Sequence, residues 1–389
     1  MTILYHHRTR AGDAQGVHIA EMIRAFRALG HMVHIASLAG EPSARPPSQE
    51  MAKPLWQRMA QRIPGLYVAL QLGYNVFGFW MLMRQVVRHH PEMIYERYSL
   101  YNFSGVLAAR LFRIPIALEV NSPLALEEKS EGQSSFHWLA LWTETRITNA
   151  ATIVVAISGA LRDILVAQGT GPDRILVLPN GISPERFKPI PVDRELAGLL
   201  GLGQRTVIGF VGWFRAWHGL EMLVDAFAQA GIAGRAVLLL VGDGPAMASL
   251  RDRIAQAGLT SSVILPGAVA HEDTPRYISL FDIAVQPAAN EYCCPMKIIE
   301  YLGLGKPVIA PAQPNILELV EPGSEALVFS PGDSTSLADA LRQAVDSPES
   351  LHNLKQLAST AIERHGFYWA HNAERVLEAV SATQTASTR

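Results

Sequence analysis

Cysteine, lysine and charge are all scarce in this sequence. Its 389 residues include only two cysteines and six lysines, and 17% of them are charged. The two cysteines, Cys293 and Cys294, are neighbours, a spacing that does not suit ordinary disulfide geometry, so a disulfide-stapled secreted scaffold is excluded. The hydrophobic content of 49% excludes a disordered protein, and the net charge of −2 gives no sign of nucleic-acid binding. The composition predicts a reduced, compact, cytoplasmic protein of two or three domains.

The sequence has no continuous apolar segment of the signal-peptide kind in its first ten residues, MTILYHHRTR. One uncharged run, from Ile63 to Met83, is long enough at 21 residues to cross a bilayer. Its proline, its three glycines and the polar residues Gln71 and Asn75 weaken a spanning helix. We therefore expect a pair of short buried helices here, with a membrane-dipping surface or a true span as the alternatives.

Basic residues are concentrated in the first half of the chain. Residues 1–190 carry 19 Lys and Arg against 14 Asp and Glu, whereas the remainder carries 14 against 21. Basic and aromatic side chains alternate around the apolar run, and they are Lys53, Trp56, Arg58, Arg62, Tyr67, Trp80, Arg84 and Arg88. This pattern predicts contact with an anionic membrane surface at its cytoplasmic face, and a solvated basic face over a helical core is the alternative.

Strand-like and helix-like segments alternate along both halves. Short apolar strands separated by amphipathic helices predict parallel α/β sheets, here two doubly wound, Rossmann-like domains. The proline-rich segment FKPIPVD at 187–193 marks the break, giving domains 1–188 and 189–365, followed by a helix and flexible tail at 366–389 that packs back toward the N-terminal domain. Ligands of such sheets bind beyond the carboxyl ends of the strands, so we expect the site in a cleft between the domains.

The segment NEYCCPMKIIEYLGLGKPVIA, residues 290–310, carries the strongest motif. Pro295 suits the first turn of a helix, and the amide N–H groups around Met296 to Ile298 would point at an anion. Lys297 adds positive charge, and Glu300 follows on nearly the same face. This spacing predicts a diphosphate at the helix start and ribose hydroxyls on Glu300. An ordinary Lys–Glu surface pair is the alternative.

A second motif is the loop FVGWFRAWHG, residues 210–219. A strand ends at Gly212, and Arg215 and His218 follow it. Arg suits bidentate phosphate contact, and a His donates most strongly when an adjacent anion keeps it protonated. The two tryptophans of this loop could instead belong to the core.

Polar residues also follow an apolar strand in IPIALEVNSP, residues 114–123. A buried Glu119 is costly without a function or a partner, so Glu119 and Asn121 are candidate site residues. Pairing of Glu119 with an arginine such as Arg97 is the alternative.

The weakest candidate is the first strand-to-helix loop, TRAGDAQGVH, residues 9–18. Gly16 would let the backbone approach a ligand, and His18 lies in the first turn of the helix. The glycines beginning at Gly242 do not make a G-x-G-x-x-G motif, and the sequence has no Walker loop, no H-E-x-x-H and no D-x-D pair. We therefore expect no metal site and no bound cofactor, with Arg215, Lys297 and helix starts neutralising a diphosphate.

Taken in order, these segments resemble the retaining nucleotide-sugar glycosyltransferases of family 4, which have the GT-B fold. The resemblance covers nearly the whole chain and rests on the segments VHIAEMIRAFRALGHMVHIAS, VVAISGALRDIL, LPNGISPERFKP, FVGWFRAWHG, LLLVGDGPAMASL, ILPGAVAHEDTPRYISLFDIAVQPA and PMKIIEYLGLGKPVIA. It implies an acceptor-binding N-terminal domain and a C-terminal domain that binds the nucleotide sugar.

The resemblance carries over unevenly to individual residues. The family's G-R-L-x-x-x-K-G loop has its Arg at Trp213 and its Lys at His218 here, so Arg215 would replace the missing charge. The second Glu of the family's E-x-x-x-x-x-x-x-E motif falls on Glu300, whereas the first falls on Tyr292. Donor recognition is therefore assigned, by resemblance, to Gly16, Gly212, His218, Gly242, Tyr292, Pro295, Met296, Ile298 and Glu300.

The implied activity is retaining, metal-independent transfer of a hexose from a UDP- or GDP-sugar through an oxocarbenium-like transition state. Arg215, Lys297 and Glu119 are its candidate catalytic residues, with Asn121 and His18 on the acceptor side. We expect a glycan or lipid-linked acceptor from glycoconjugate or polysaccharide synthesis. A nucleotide-sugar epimerase on the same fold and a non-catalytic nucleotide-sugar sensor are the alternatives.

Overall fold

The computed structural model describes residues 1–9, 14–38, 40, 65–130, 136–270 and 272–387. These residues divide into two compact units. The first unit runs from Met1 to Pro179 and takes in the chain from Trp369 onward, and the second runs from Asn180 to Tyr368.

Each unit is built on a six-stranded sheet in which every described strand pair is parallel. The first sheet has the order β2-β1-β3-β4-β5-β6, and the second has the order β12-β11-β10-β7-β8-β9. The strands are Thr2–His6 (β1), Met32–Ala36 (β2), Met93–Arg97 (β3), Ile116–Val120 (β4), Ile153–Ala156 (β5), Ile175–Val177 (β6), Thr206–Val211 (β7), Ala236–Val241 (β8), Val263–Gly267 (β9), Ile283–Val285 (β10), Val308–Pro311 (β11) and Ala326–Phe329 (β12). The two doubly wound α/β sheets that the alternation of segments predicted are confirmed.

Helices connect the parallel strands, because a parallel pair needs a crossover longer than a tight turn. They are Ala14–Ala28 (α1), Leu66–His89 (α2), Ser104–Phe112 (α3), Leu124–Ser130 (α4), His137–Ala150 (α5), Gly159–Ala167 (α6), Arg194–Leu199 (α7), Leu220–Ala230 (α8), Met247–Gln256 (α9), Thr274–Ser279 (α10), Met296–Gly303 (α11), Pro314–Leu317 (α12), Ser334–Asp346 (α13), Pro348–His365 (α14) and Trp369–Ser387 (α15). Two single 3-10 turns, Pro172–Arg174 and Ala216–His218, lie between them.

The central strands are buried on both faces, which explains their continuous apolar sequences. Every residue of β3, β4 and β8 is buried. Amphipathic helices such as α8 and α13 pack against the second sheet and complete its core. The polar side chains that remain at the strand ends are therefore the exceptions that need an explanation.

The division between the units falls slightly before the proline-rich segment that marks it in the sequence. Asn180 already belongs to the second unit, where its side-chain amide donates a hydrogen bond of 2.8 Å to the Cys294 carbonyl. The Ile182 N–H likewise donates to the Phe367 carbonyl at 2.9 Å. Helix α15 belongs to the first unit, where the Asn372 side chain donates to the Pro179 carbonyl at 2.7 Å.

Helix α2 differs from the pair of short buried helices predicted for this part of the chain. It is one helix of 24 residues, and only Gly78, Leu82 and Val86 are buried. Ile63 and Pro64 lie outside the described residues, as do Lys53, Trp56, Arg58 and Arg62. By length and composition α2 is the one described helix that could cross a membrane, which by itself is weak evidence for a span.

Candidate functional site

The carboxyl end of β7 and the start of α11 form the core of the candidate donor site. The Tyr301 hydroxyl, fully buried, accepts a hydrogen bond of 3.0 Å from the Val211 N–H. This contact fixes α11 against the last residue of β7. The sequence alone does not single out Tyr301, because a tyrosine within an amphipathic helix is usually a core residue.

Gly212 gives the Lys297 side chain room to cross the end of β7. Its φ is +151°, and a Cβ placed there would lie 2.4 Å from Lys297 Cε. The lysine Nζ lies 5.5 Å from the centre of the Phe210 ring and 3.3 Å from His218 Nε2. The structure therefore brings Gly212, His218 and Lys297 together. It adds Phe210, the first residue of the FVGWFRAWHG motif, which had no predicted role because an apolar strand residue is usually part of the core.

His218 is held in its neutral form. Burial, the Lys297 ammonium and the Arg215 guanidinium lower its pKa to about 3, although a hydrogen bond with the Trp213 backbone opposes them. Arg215 lies over the Trp217 ring, with Cζ 4.9 Å from the ring centre. The sequence analysis expected a protonated His218 beside an anion. In this structure two cations surround it instead, which is the electrostatic environment of an anion site.

Glu300 lies one turn further along α11 with only 8% of its surface exposed. Burial raises the pKa of its carboxyl to about 7, although Lys297 and Arg186 lower it. Burial also lowers the pKa of Lys297, and Glu300 partly offsets that shift. No described side chain donates a hydrogen bond to the Glu300 carboxylate, so its oxygens are available to hydroxyl donors.

The first turn of α11 offers fewer amide donors than its sequence predicts. The Ile298 N–H donates to the Pro295 carbonyl at 3.1 Å, so this amide already has a partner. The first amides of a helix have no acceptor within the helix, so the amides of Met296 and Lys297 are the donors available to an anion. Pro295 adopts extended backbone just before the helix, as a residue at that position should.

Gly242 and Tyr292 contribute to the loops around this site. A Cβ at Gly242, where φ is +143°, would lie 1.9 Å from the Gly212 carbonyl oxygen, so this glycine allows the loops after β7 and β8 to touch. Tyr292 is half-buried in the loop before α11, and its hydroxyl lies 3.4 Å from Asn290 Nδ2.

In the first unit, Glu119 is the centre of a buried cluster of polar groups. It lies opposite Arg97 in the register of β3 and β4, and Arg97 donates to it at 2.8 Å. The Tyr95 hydroxyl donates at 2.7 Å, Asn121 donates through its side-chain amide, and His18 Nδ1 lies 3.3 Å away. Burial alone would raise the pKa of Glu119, but His18, Arg97 and these hydrogen bonds hold it below its usual range.

This cluster favours the pairing alternative for Glu119 over a catalytic role. Its contacts with Asn121 and His18 let the carboxylate orient both side chains. His18 is buried, and its ring packs edge-on against Trp369 at 4.7 Å between centroids. Gly16 lies two residues earlier, buried in the first turn of α1.

The described residues contain no group of three or more His, Cys, Asp or Glu side chains that could hold a metal ion.

Two family models match the chain. The model described as Glycosyltransferase Family 4 matches residues 15–186, and the model described as Glycosyl transferases group 1 matches residues 205–347. Both units therefore match a glycosyltransferase model, and together the two matched ranges span most of the sequence.

Curated proteins and solved structures show the same likeness. The 2-deoxystreptamine glucosyltransferase of Streptomyces kanamyceticus is 27% identical over 350 residues, which cover 85% of this chain and 89% of that protein. The alpha-D-kanosaminyltransferase of the same organism is 25% identical over 325 residues, covering 77% and 83%. HepE of Anabaena in complex with UDP-glucose matches with a TM-score of 0.73 at 21% identity, covering 98% of this chain and 100% of that one.

Proposed function

The chain belongs to the family 4 glycosyltransferases of GT-B fold, and from that premise we propose that it transfers a hexose from a UDP-sugar to a hydroxyl acceptor with retention of configuration. One observation carries the proposal. At the start of α11, Lys297 crosses Gly212 to reach His218. The Glu300 carboxylate lies one turn deeper and accepts no hydrogen bond from any described side chain. This arrangement suits a diphosphate and a ribose diol held side by side.

The ribose hydroxyls would donate to Glu300, and the diphosphate would accept from Lys297 and from the Met296 and Lys297 amides. A hydroxyl pair matches a carboxylate that has two acceptor oxygens and to which none of the described side chains donates. HepE, whose complexes contain UDP and UDP-glucose, supports uridine as the base, and a GDP-sugar is the competing donor.

In the proposed mechanism the sugar–phosphate bond breaks first, with charge developing on the leaving diphosphate and on the sugar ring. Lys297 and Arg215 stabilise the leaving diphosphate, which is the kind of interaction that lowers the barrier most. A diphosphate oxygen takes the proton of the incoming hydroxyl, so that attack occurs on the face from which the diphosphate departs. Two cationic side chains and the helix start supply positive charge without a metal.

We assign the acceptor to the first unit, where Glu119 orients Asn121 and His18. A glycan or lipid-linked acceptor is proposed, and a 2-deoxystreptamine-like aminocyclitol, the acceptor that the name of one relative suggests, is the competing acceptor. Acceptor-dependent release of nucleotide distinguishes a transferase from an epimerase and from a sensor.

The donor site is tested by calorimetry and thermal unfolding with UDP, GDP, ADP and their sugar conjugates, in EDTA and then in Mg²⁺. A ligand at about 100 times its Kd stabilises the folded state by roughly 2.7 kcal/mol, which is a rise in Tm of a few degrees. We expect stabilisation by uridine nucleotides that Mg²⁺ leaves unchanged. Stabilisation by another base alone, or only with Mg²⁺, would overturn the donor assignment or the metal-independent mechanism.

Lys297→Met and Glu300→Gln should abolish this stabilisation. The same substitutions at two exposed positions, Lys188→Met and Glu363→Gln, are the matched controls and should leave it intact. The anomeric configuration of the product, read from its proton coupling constants in NMR spectra, tests retention. An inverted product would refute the proposed stereochemistry.

Glu300 also predicts a pH dependence. Because the pKa of Glu300 in the free protein is about 7, the carboxylate that accepts from ribose forms as pH rises through 7. The kcat/KM for the donor should therefore rise with pH across that range, and Glu300→Gln should remove the rise. The same pH profile in both proteins would contradict the assignment of Glu300 to ribose.

A further inference from the structure

The solvent-facing side of α2 is apolar, which is the reverse of the pattern expected for a helix on a soluble protein. Its exposed positions over residues 66–80 are spaced three and four apart, so they form one stripe. They are Leu66, Ala69, Leu70, Gly73, Val76, Phe77 and Trp80. None is charged, and Trp80 has 55% of its surface exposed.

Helices α3 and α5 extend this apolar surface. Leu107 and Leu111 of α3 are exposed, and together with Phe79 of α2 they line a shallow groove between the two helices. Two tryptophans on α5, Trp138 and Trp142, are also exposed, Trp138 by 68%. The Trp142 ring lies 6.3 Å from the Phe103 ring at the start of α3, so the three helices share one surface.

The charged residues of this surface are all positive. Arginines border it at the end of α2, on α3 and just after it, and on α5, and they are Arg84, Arg88, Arg110, Arg113 and Arg146. The three helices contain a single carboxylate, Glu144, and it is buried. A surface that combines exposed apolar and aromatic residues with arginines alone is complementary to anionic lipid headgroups over an acyl region.

Polar contacts hold α2 on the first unit. Arg8 donates to the Gln71 side chain at 2.7 Å and lies 3.8 Å from the centre of the Tyr74 ring. Asn75 donates to the Tyr101 carbonyl at 2.7 Å. A Cβ at Gly78 would lie 3.0 Å from Ser104 Oγ, so the buried side of α2 fits closely against α3. Leaving the unit to cross a bilayer would break all of these contacts.

We propose that the surface formed by α2, α3 and α5 binds the face of an anionic bilayer, with α2 lying in the interface rather than crossing it. Phe77, Trp80, Trp138 and Trp142 enter the boundary between headgroups and acyl chains, and the flanking arginines pair with lipid phosphates. The first unit is thereby held at the membrane. The consequence that its acceptor is membrane-anchored rests on the proposed function. The binding of this surface to a membrane does not depend on that function.

Flotation of the full chain with vesicles tests this surface. The vesicles contain phosphatidylcholine alone, or phosphatidylcholine with a third of the lipid replaced by phosphatidylglycerol. We expect the protein to float with the anionic vesicles, to float far less with the neutral ones, and to dissociate from the membrane as salt is raised. Equal binding to both vesicle types, or no binding at low salt, would overturn the proposal.

Exposed positions allow variants that leave the fold intact. The double variant Phe77→Ser, Trp80→Ser should bind anionic vesicles at least about tenfold more weakly, because two inserted aromatic side chains are lost. Arg84→Glu with Arg88→Glu should have a similar effect on anionic vesicles alone. The matched control is Val192→Ser with Leu199→Ser, which removes exposed apolar side chains from the second unit and should bind as the wild type does.

Three further measurements distinguish the membrane from other occupants of this surface and test the proposed function separately. Sedimentation that shows a wild-type dimer, converted to monomer by the Phe77, Trp80 variant, would replace the membrane with a second copy of the chain. Resistance to carbonate extraction would replace it with a true span. UDP-induced stabilisation should be the same in the wild type and in all these variants, so a wild-type protein that binds UDP but not anionic vesicles refutes this inference alone.

Discussion

Binding of the donor should change the protonation of His218. In the free protein, burial and the cations Lys297 and Arg215 lower its pKa to about 3, so the ring is neutral at every pH at which the protein is handled. A diphosphate beside Lys297 would place negative charge next to the same ring. The pKa of His218 must then rise, because an opposite charge favours the protonated form.

The size of the rise follows from the geometry. His218 Nε2 lies 3.3 Å from Lys297 Nζ, so a phosphate oxygen that contacts the lysine comes close to the ring as well. Two unit charges about 4 Å apart interact by roughly 4 kcal/mol at an effective dielectric constant of about 20. Since about 1.4 kcal/mol corresponds to one pKa unit, the pKa of His218 should rise by about three units, to about 6. At pH 6 the complex should therefore take up close to half a proton at this residue, and at pH 8 almost none.

Calorimetry in buffers of different ionisation enthalpy measures this proton uptake. A UDP-sugar is the ligand of choice, because its phosphates carry no proton that titrates near neutrality. Ribose binding should meanwhile favour the Glu300 carboxylate and release protons, so the informative quantity is the difference between the wild type and His218→Gln. We expect that difference to be about half a proton at pH 6, to grow as the pH is lowered toward about 4.5, and to vanish by pH 8. Equal proton uptake by the two proteins at pH 6 would refute the placement of the diphosphate at His218.

Three further predictions concern single substitutions. Gly212→Ala should weaken UDP-sugar binding at least about tenfold in calorimetry, because its Cβ would displace Lys297, whereas Gly203→Ala, with nothing within 4 Å of the added methyl, should bind normally. Glu119→Gln should lower the free energy of unfolding in urea by about 3 kcal/mol or more, because it leaves the buried Arg97 guanidinium without its carboxylate partner. Lost turnover with unchanged stability would make Glu119 catalytic instead. Burial raises the pKa of Glu144 from 4.5 to about 7, so the folded state binds more protons than the unfolded state between those values and this residue's stabilisation is lost as pH rises through 7. In thermal unfolding, the stability of Glu144→Gln relative to the wild type should therefore increase between pH 5 and pH 8, by up to about 3 kcal/mol. A stability difference that does not change with pH would contradict this.

The alternation of apolar strands and amphipathic helices was sufficient to predict two doubly wound sheets. It was not sufficient for α2, because apolar residues lie on all sides of that helix. The sequence shows that Phe77 and Leu82 are both apolar, but only the neighbouring helix α3 determines that Leu82 is buried and Phe77 is exposed. Composition thus favoured burial for a helix that has one partner surface and one apolar face without a described partner.

The candidate site was predictable within each segment and much less so between segments. The spacing of Lys297 and Glu300 on one helix follows from the helical period. The contact of Lys297 with His218 joins positions 79 residues apart, and it depends on β10 and β7 being neighbours in the sheet. Strand order is a property of the assembled sheet. The same reason left the partner of Glu119 open, because Arg97 faces it only once β3 and β4 pair.

Glu144 and Glu300 show why a raised pKa alone does not identify a site. Burial raises the pKa of both carboxyls to about 7. Glu144 accepts hydrogen bonds from the Ala125 N–H and the Tyr98 hydroxyl, and it tethers the start of α4 to α5. Glu300 accepts none from the described side chains, and it lies beside Lys297 at the end of β7. A buried carboxylate is costly unless something donates to it, and no described side chain donates to Glu300, which suits the proposal that ribose hydroxyls do so. The hydrogen bonds, rather than the pKa, therefore separate Glu144, which holds two helices together, from Glu300, for which we propose donor binding.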